Sequence, residues 1–163
     1  MLRIIADSTC DISKEDARKM GIQIVPISVR FGNEEFLDGV EITHEEFYTR
    51  LAECDELPKT SQPSPDTFMK VFNEAVAAGD DVLGIFISSD LSGTYQSACL
   101  AALDVEEETG KKLYMVDSRS ASIGTALLIR EAVKLRDAGV NAADIAAACT
   151  ELSLIHISEP TRP

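Results

Sequence analysis

Three polar clusters each follow an apolar run: "DSTCD" after "LRIIA", "SSDLSGT" after "DVLGIFI", and "DSRSAS" after "KLYMV". Serine, threonine and aspartate at strand ends are also the commonest helix caps, so one such cluster carries little information. Three at the same strand position place a polar rim along one edge of a sheet, outside the carboxyl ends of its strands, where ligands of parallel sheets bind. Helix N-termini gathered there present unpaired N–H groups and a partial positive charge, which suits an anion. Gly93 beside Ser92 lets a ligand approach the backbone closely. A carboxylate or phosphate fits this rim and a cation does not. On local sequence alone Ser92 is first an N-cap and Thr60 a loop hydroxyl. Asp7 and Asp117 stand evenly between turn residues and support for a site.

Other chemistries lack their parts. There is no GxSxG elbow, and the two histidines are His44, inside a helix-capping sequence, and His156 near the end of the chain. A Ser-His-Asp hydrolase therefore has no base. Neither GxxxxGK[ST] nor GxGxxG occurs, which removes the usual nucleotide fingerprints. Cys10, Cys54, Cys99 and Cys149 are scattered with no CxxC pair, the pattern of reduced cysteines in a cytoplasmic protein rather than of a zinc site. With 28 acidic against 15 basic residues the net charge is −13, which repels nucleic acid and anionic membranes alike. No apolar stretch approaches the ~20 residues of a membrane span, and the apolar start is too short for a secretory signal. Glu106–Glu108 is a solvated charge run.

The elements that would position the rim alternate between strand and helix, which predicts an α/β fold with a mainly parallel sheet flanked by helices. Leu2–Ala6 is a first strand. Ser13, with Asp16 three residues on, heads a short helix that Gly21 closes. "IQIVPISVRF" is a second extended run, with Pro26 marking a sheet edge or bulge. "FLDGVEI" is a further extended piece, and Thr43 with Glu46 forms a capping box before a helix carrying Phe47 and Leu51 inward. "LPKTSQPSPD" is the most loop-like stretch, ending in the Ser64-Pro65 start of a helix whose inward stripe is Phe68, Val71, Phe72 and Ala75. "DVLGIFI" is a strand covered on both faces. A helix with Tyr95, Ala98, Cys99 and Ala102 inward then runs to Gly110. "KLYMV" is the next strand. A broad-faced helix from Ser122 to Asp137 carries Ile123, Leu127, Leu128, Ala132 and Leu135, and another helix starts at Ala142. This gives one domain over 1–151. The tail 152–163, "LSLIHISEPTRP", reads as an alternating, proline-ended piece foreign to the fold.

"IIADSTCDI", "GIQIVPISVRFGNEEFLDGVEIT", "LPKTSQPSPDTF", "ISSDLSGTYQSA" and "MVDSRSASIG" together resemble the DegV family of bacterial fatty-acid-binding proteins, from about residue 3 to about residue 150. The resemblance implies a carrier and not an enzyme. It needs no cofactor beyond the bound long-chain fatty acid, whose acyl chain lies in an apolar tunnel between two domains. Thr60 of "KTSQPSP" and Ser92 of "LSGTY" would hold its carboxylate. Asp7, Ser8, Ser61, Gly93, Thr94, Asp117 and Ser118 would form the supporting polar rim. The implied partner is a fatty-acid kinase that phosphorylates the presented carboxylate, with neither nucleic acid binding nor stable membrane insertion. Family members are longer and take the other tunnel wall, with an arginine and a histidine near the carboxylate, from a second domain. The expectation is therefore a first domain whose second is missing. Two alternatives stay open: an enzyme acting on a small phosphorylated metabolite at the same rim, with Asp7 or Asp117 as base, or a truncated fragment without function.

Overall fold

The apolar runs of the sequence become the strands of a parallel sheet. In the computed structural model, which describes residues 1–155, these are β1 (Leu2–Asp7), β2 (Ile22–Val25), β6 (Asp81–Phe86) and β7 (Leu113–Asp117). They lie in the order β2-β1-β6-β7. Every neighbouring pair is parallel, with Ile4 opposite both Ile22 and Leu83, and Leu83 opposite Tyr114. Because side chains alternate, β6 feeds both faces. Leu83 and Ile85 join Ile4, Ala6 and Val116 in a core covered by α5 (Ile123–Asp137) and α6 (Ala142–Ile155). Val82 and Phe86 join Ile5 and Leu113 in a second core under α3 (Pro65–Ala77) and α4 (Thr94–Thr109). The result is a helix–sheet–helix sandwich.

Between β2 and α3 the chain leaves this sandwich. The run "IQIVPISVRF" divides at Pro26, because proline has no N–H for a ladder. Its first half is the edge strand β2, and its second half is β3 (Ser28–Phe31), in a different sheet. There β3 pairs antiparallel with β4 (Glu34–Leu37) and β5 (Lys59–Ser61). α2 (His44–Glu53) closes the small lobe over its own core of Val29, Phe31 and Ile42, packed with Phe36, Phe47 and Leu51. Thr60 is thus a strand residue opposite Val29, where the sequence predicted a loop. Three exposed residues carry no local strand signal, and only pairing to β3 makes them one.

The caps are where the side-chain chemistry puts them. Ser13 and Ser64 accept the N–H of the third helical residue, Thr43 and Glu46 form the reciprocal box, and Gly21 and Gly110 close α1 (Lys14–Met20) and α4 in the left-handed conformation. Four expectations need correction. The N-cap of α4 is Gly93 and not Ser92. Glu106 is not part of a solvated run, because its carboxylate turns back to accept the Leu113 N–H at 2.6 Å and pair with Lys112; Glu107 and Glu108 alone are exposed. Ile123 and Leu127 point outward, 71% and 52% exposed; Leu128 and Ala132 of the expected face are buried, joined by Thr125, Ile129 and Val133. Residues 152–155 continue α6, with Leu152 against the core and Ser153 buried, so the alternating reading fails there; 156–163 lie outside the described residues. Among the described residues no helix is long and apolar enough to cross a membrane.

Two outcomes test this packing. A Cβ on Gly84, in the middle of β6, would stand 2.4 Å from the Phe86 ring and 2.7 Å from the Met115 sulfur. Gly84→Ala is expected to lower the unfolding free energy by about 1–3 kcal/mol, read from the urea midpoint. The four cysteines are unpaired, and burial pushes the Cys10 and Cys149 thiols up to about 11. A thiol reagent at pH 8 should label the half-exposed Cys54 in the folded protein, and Cys10 and Cys149 only in denaturant.

Candidate functional site

An open cavity of about 550 Å³ lies where the small lobe meets the carboxyl edge of the parallel sheet. The lobe and its return crossing contribute Ile27, Thr60, Ser61 and Gln62. The sandwich contributes Thr9, Ile87, Leu91, Ser92 and Gly93. Thr60 and Ser92, which lie far apart in the chain, therefore face one space. None of the lining residues is charged. Ile27, Ile87 and Leu91 give the cavity an apolar side, and the hydroxyls give it a polar one.

Ser92 stands two residues before Thr94, the first residue of α4. Its Oγ accepts the N–H of Thr94 at 3.2 Å and lies 2.9 Å from the Thr94 hydroxyl, which belongs to a fully buried residue. When Thr94 donates its hydroxyl hydrogen to Ser92, the Ser92 proton is free to point into the cavity. Behind it stands the N-terminus of α4, sixteen residues long, whose N-cap glycine makes no side-chain capping bond. α1, α2 and α3 are all capped by a Ser or Thr side chain. The positive end of the α4 dipole lies beside the cavity, with the Thr94 N–H already taken by Ser92 Oγ, and it favours a negatively charged group there.

Of the predicted rim, Thr60, Ser61, Ser92 and Gly93 line the cavity, while Asp7, Ser8, Thr94, Asp117 and Ser118 stand behind it. Asp7 is completely buried, and its two oxygens are taken up by internal donors. Oδ1 accepts the Thr9 N–H at 2.9 Å and the Thr9 hydroxyl, and Oδ2 accepts the Ile87 N–H at 2.9 Å. Ser8 Oγ accepts the Ile27 N–H at 3.2 Å. The first cluster therefore holds Thr9, Ile27 and Ile87 in place.

The third cluster folds onto itself. Asp117 accepts Ser89 N–H at 3.2 Å, the Ser89 hydroxyl at 2.5 Å and Arg119 N–H at 2.9 Å, and Ser118 Oγ donates to the Ser120 carbonyl at 3.0 Å. Strand-end backbone groups needed those partners, and none of this cluster lines the cavity, where the sequence had suggested a shared rim. Neither Asp7 nor Asp117 is placed to act as a base in the cavity. Among the described residues no group of His, Cys, Asp or Glu gathers that could hold a metal ion. Sequence reasoning missed Thr9, Ile27, Gln62, Ile87 and Leu91. Ile27 and Ile87 directly follow Pro26 and β6, and Gln62 sits two residues from Thr60, so strand-end position was the available signal.

Comparison with known proteins agrees with this architecture. Residues 1–154 match the family described as "Uncharacterised protein, DegV family". A "DegV domain-containing protein" of Clostridium perfringens is 40% identical over 144 residues, 88% of this chain and 50% of its own length. The crystal structure of a stearic acid-binding protein from Eubacterium ventriosum superposes with a TM-score of 0.85 at 36% identity, covering 91% of this chain and 52% of that one. A Streptococcus pneumoniae Fatty Acid Kinase (Fak) B3 protein loaded with linoleic acid gives a TM-score of 0.80 at 25% identity, covering 94% and 54%. The chain thus spans about half the length of the relatives it matches.

The Asp7 knot has a direct test. In Asp7→Asn one acceptor oxygen becomes an NH₂ facing N–H donors, which should cost about 1–3 kcal/mol of stability. Amide exchange should accelerate at Thr9 or Ile87, whichever loses its acceptor, before it does in α3.

Proposed function

Because the chain belongs to the DegV family, we propose that it forms the head-group half of a fatty-acid carrier and is not itself an enzyme. In this reading a long-chain fatty acid lays its carboxylate in the 550 Å³ cavity, where the Thr60 and Ser92 hydroxyls donate to it. The observation that supports the proposal is that Thr60 and Ser92, one from each lobe, line one cavity with no charged lining at the N-terminus of α4. A carboxylate only accepts, and burying one demands donors. The Asp7 knot has the same chemistry inside this protein: a buried carboxylate held by backbone N–H groups and a hydroxyl.

The acyl chain would supply most of the affinity, at roughly 0.8 kcal/mol per buried methylene, while the hydroxyls fix its direction. The Eubacterium and Streptococcus proteins, each about twice the length of this chain, bind stearic and linoleic acid. Completion of the acyl site by a second domain follows from the same reading. So does presentation of the carboxylate to a fatty-acid kinase, which the name of the Streptococcus protein supports and the openness of the cavity allows. No cofactor is required.

Titration with stearate, followed by native mass spectrometry, should show a single adduct of one fatty acid. Ser92→Ala and Thr60→Ala should each weaken binding by roughly 10- to 100-fold, the range of a hydrogen bond to a charged group. Thr109→Ala removes a hydroxyl that donates to the Val105 carbonyl and accepts the Lys111 N–H at the far end of α4, and it should leave binding unchanged. Full affinity in both cavity variants would remove Thr60 and Ser92 from the head-group site.

A further inference from the structure

The small lobe, residues 27–62, has a core of its own and joins the sandwich through two chain crossings, each marked by a proline, Pro26 and Pro63. Beside the first crossing it stands off. A trough of about 800 Å³, with mixed apolar and charged walls, separates Asp38, Val40 and His44 of the lobe from Ile12, Ala17 and Ile24 of the sandwich. Among the described residues two hydrogen bonds span the seam. One is the Ile27 N–H to Ser8 Oγ at the first crossing; the other runs from Gln62 Nε2 to Ser97 Oγ at 3.1 Å. Only the second reaches α4, the helix that begins beside Ser92.

Gly93 is fitted to that bond. Its backbone is ordinary, at φ −76° and ψ 6°, so conformation does not call for glycine. A Cβ there would stand 2.3 Å from Gln62 Oε1 and 2.7 Å from Nε2. The Gln62 amide thus rests on the bare Cα of Gly93 while it reaches Ser97. Pro63 restricts the backbone of Gln62 to extended conformations, which limits where this side chain can reach. Ser97 is buried on the first turn of α4.

We infer that Gln62 is a positioning residue: seated on Gly93 and bonded to Ser97, it latches the lobe to α4 and so sets the separation of the Thr60 and Ser92 hydroxyls. The consequence for the ligand rests on the carboxylate reading above; the latch itself does not. Any side chain at position 93 displaces the Gln62 amide, breaks its bond and lets the lobe swing across the trough.

The test is residual dipolar coupling measured by NMR on the isotope-labelled chain, with a decanoate titration of the same samples. In the parent chain, amides of the lobe and of the parallel sheet should fit one alignment tensor. In Gln62→Ala, Gly93→Ala and Ser97→Ala the lobe should lose that common tensor. The double variant Gln62→Ala/Gly93→Ala should be no worse than Gln62→Ala, because no amide remains for the new methyl to displace. Decanoate affinity, read from the Thr60 and Ser92 amide shifts, should fall roughly three- to tenfold in each latch variant, the scale of one neutral hydrogen bond. A common tensor kept in the folded single variants overturns the latch whatever decanoate does. Divergent tensors with unchanged decanoate affinity overturn the positioning role. If tensors diverge while the parent chain ignores decanoate, the latch stands and the carboxylate reading falls.

Discussion

Parallel strands that stop at a common edge leave backbone N–H and C=O groups that no further strand will satisfy, and buried groups of that kind must find partners. The polar clusters after β1, β6 and β7 answer this constraint first. Asp7 takes the Ile87 N–H across from β6, Ser8 takes the Ile27 N–H, and Asp117 takes the N–H groups of Ser89 and Arg119. Even the backbone joins in, with Ser122 N–H donating to the Thr9 carbonyl and Ser88 N–H to that of Ser120. Thr60, Ser61 and Ser92 take no part in these edge bonds and line the open cavity beside them. The proposed head-group site therefore lies next to an edge that has already satisfied itself.

That order of claims explains what could be read from the chain and what could not. The strands were legible because continuous apolar runs such as "DVLGIFI" fit a sheet covered on both faces. The caps at Ser13, Thr43 and Ser64 were legible because their chemistry is local. The α/β class followed from these, and the family resemblance singled out Thr60 and Ser92, which line one cavity. Facing was not legible. Asp117 and Ser118 belong to the same kind of polar cluster as Ser92, and only the positions of Ser89 and Ser120 decide that they turn inward. β5 was hidden because its order comes from β3, and the outward turn of Ile123 and Leu127 is set by which neighbours α5 finds. The position of Gln62 at a strand end hints at the cavity, but its contact with Gly93 and Ser97 is visible only in the fold.

Net charge and site chemistry point in opposite directions, and magnitudes decide between them. At −13 the chain as a whole repels an anion. At physiological ionic strength, however, exposed charges are screened over about 8 Å. The acids that make up the excess lie mainly on exposed helix faces, such as Glu107–Glu108 and Glu45–Glu46, and none lines the cavity. For the proposed carboxylate, direct hydroxyl donors together with the α4 dipole would outweigh that screened background. The global charge would then slow the approach of an anion more than it weakens its hold once seated.

Placing one hydroxyl on each of two separately cored pieces has a cost and a use. The cost is that site geometry depends on a seam that the cores themselves do not fix, so a single amide can govern it. The use is that a head group bridging Thr60 and Ser92 would add its own hydrogen bonds to the seam, tightening the lobe onto α4 as it binds. A ligand can shift a conformational equilibrium only by its differential affinity for the two states. In the proposed site, two hydroxyls that converge only when the lobe is docked would supply that difference. Apolar ligands offering no acceptor would fill the same space without drawing the lobe in, so the seam would discriminate by head group while the acyl site discriminates by length.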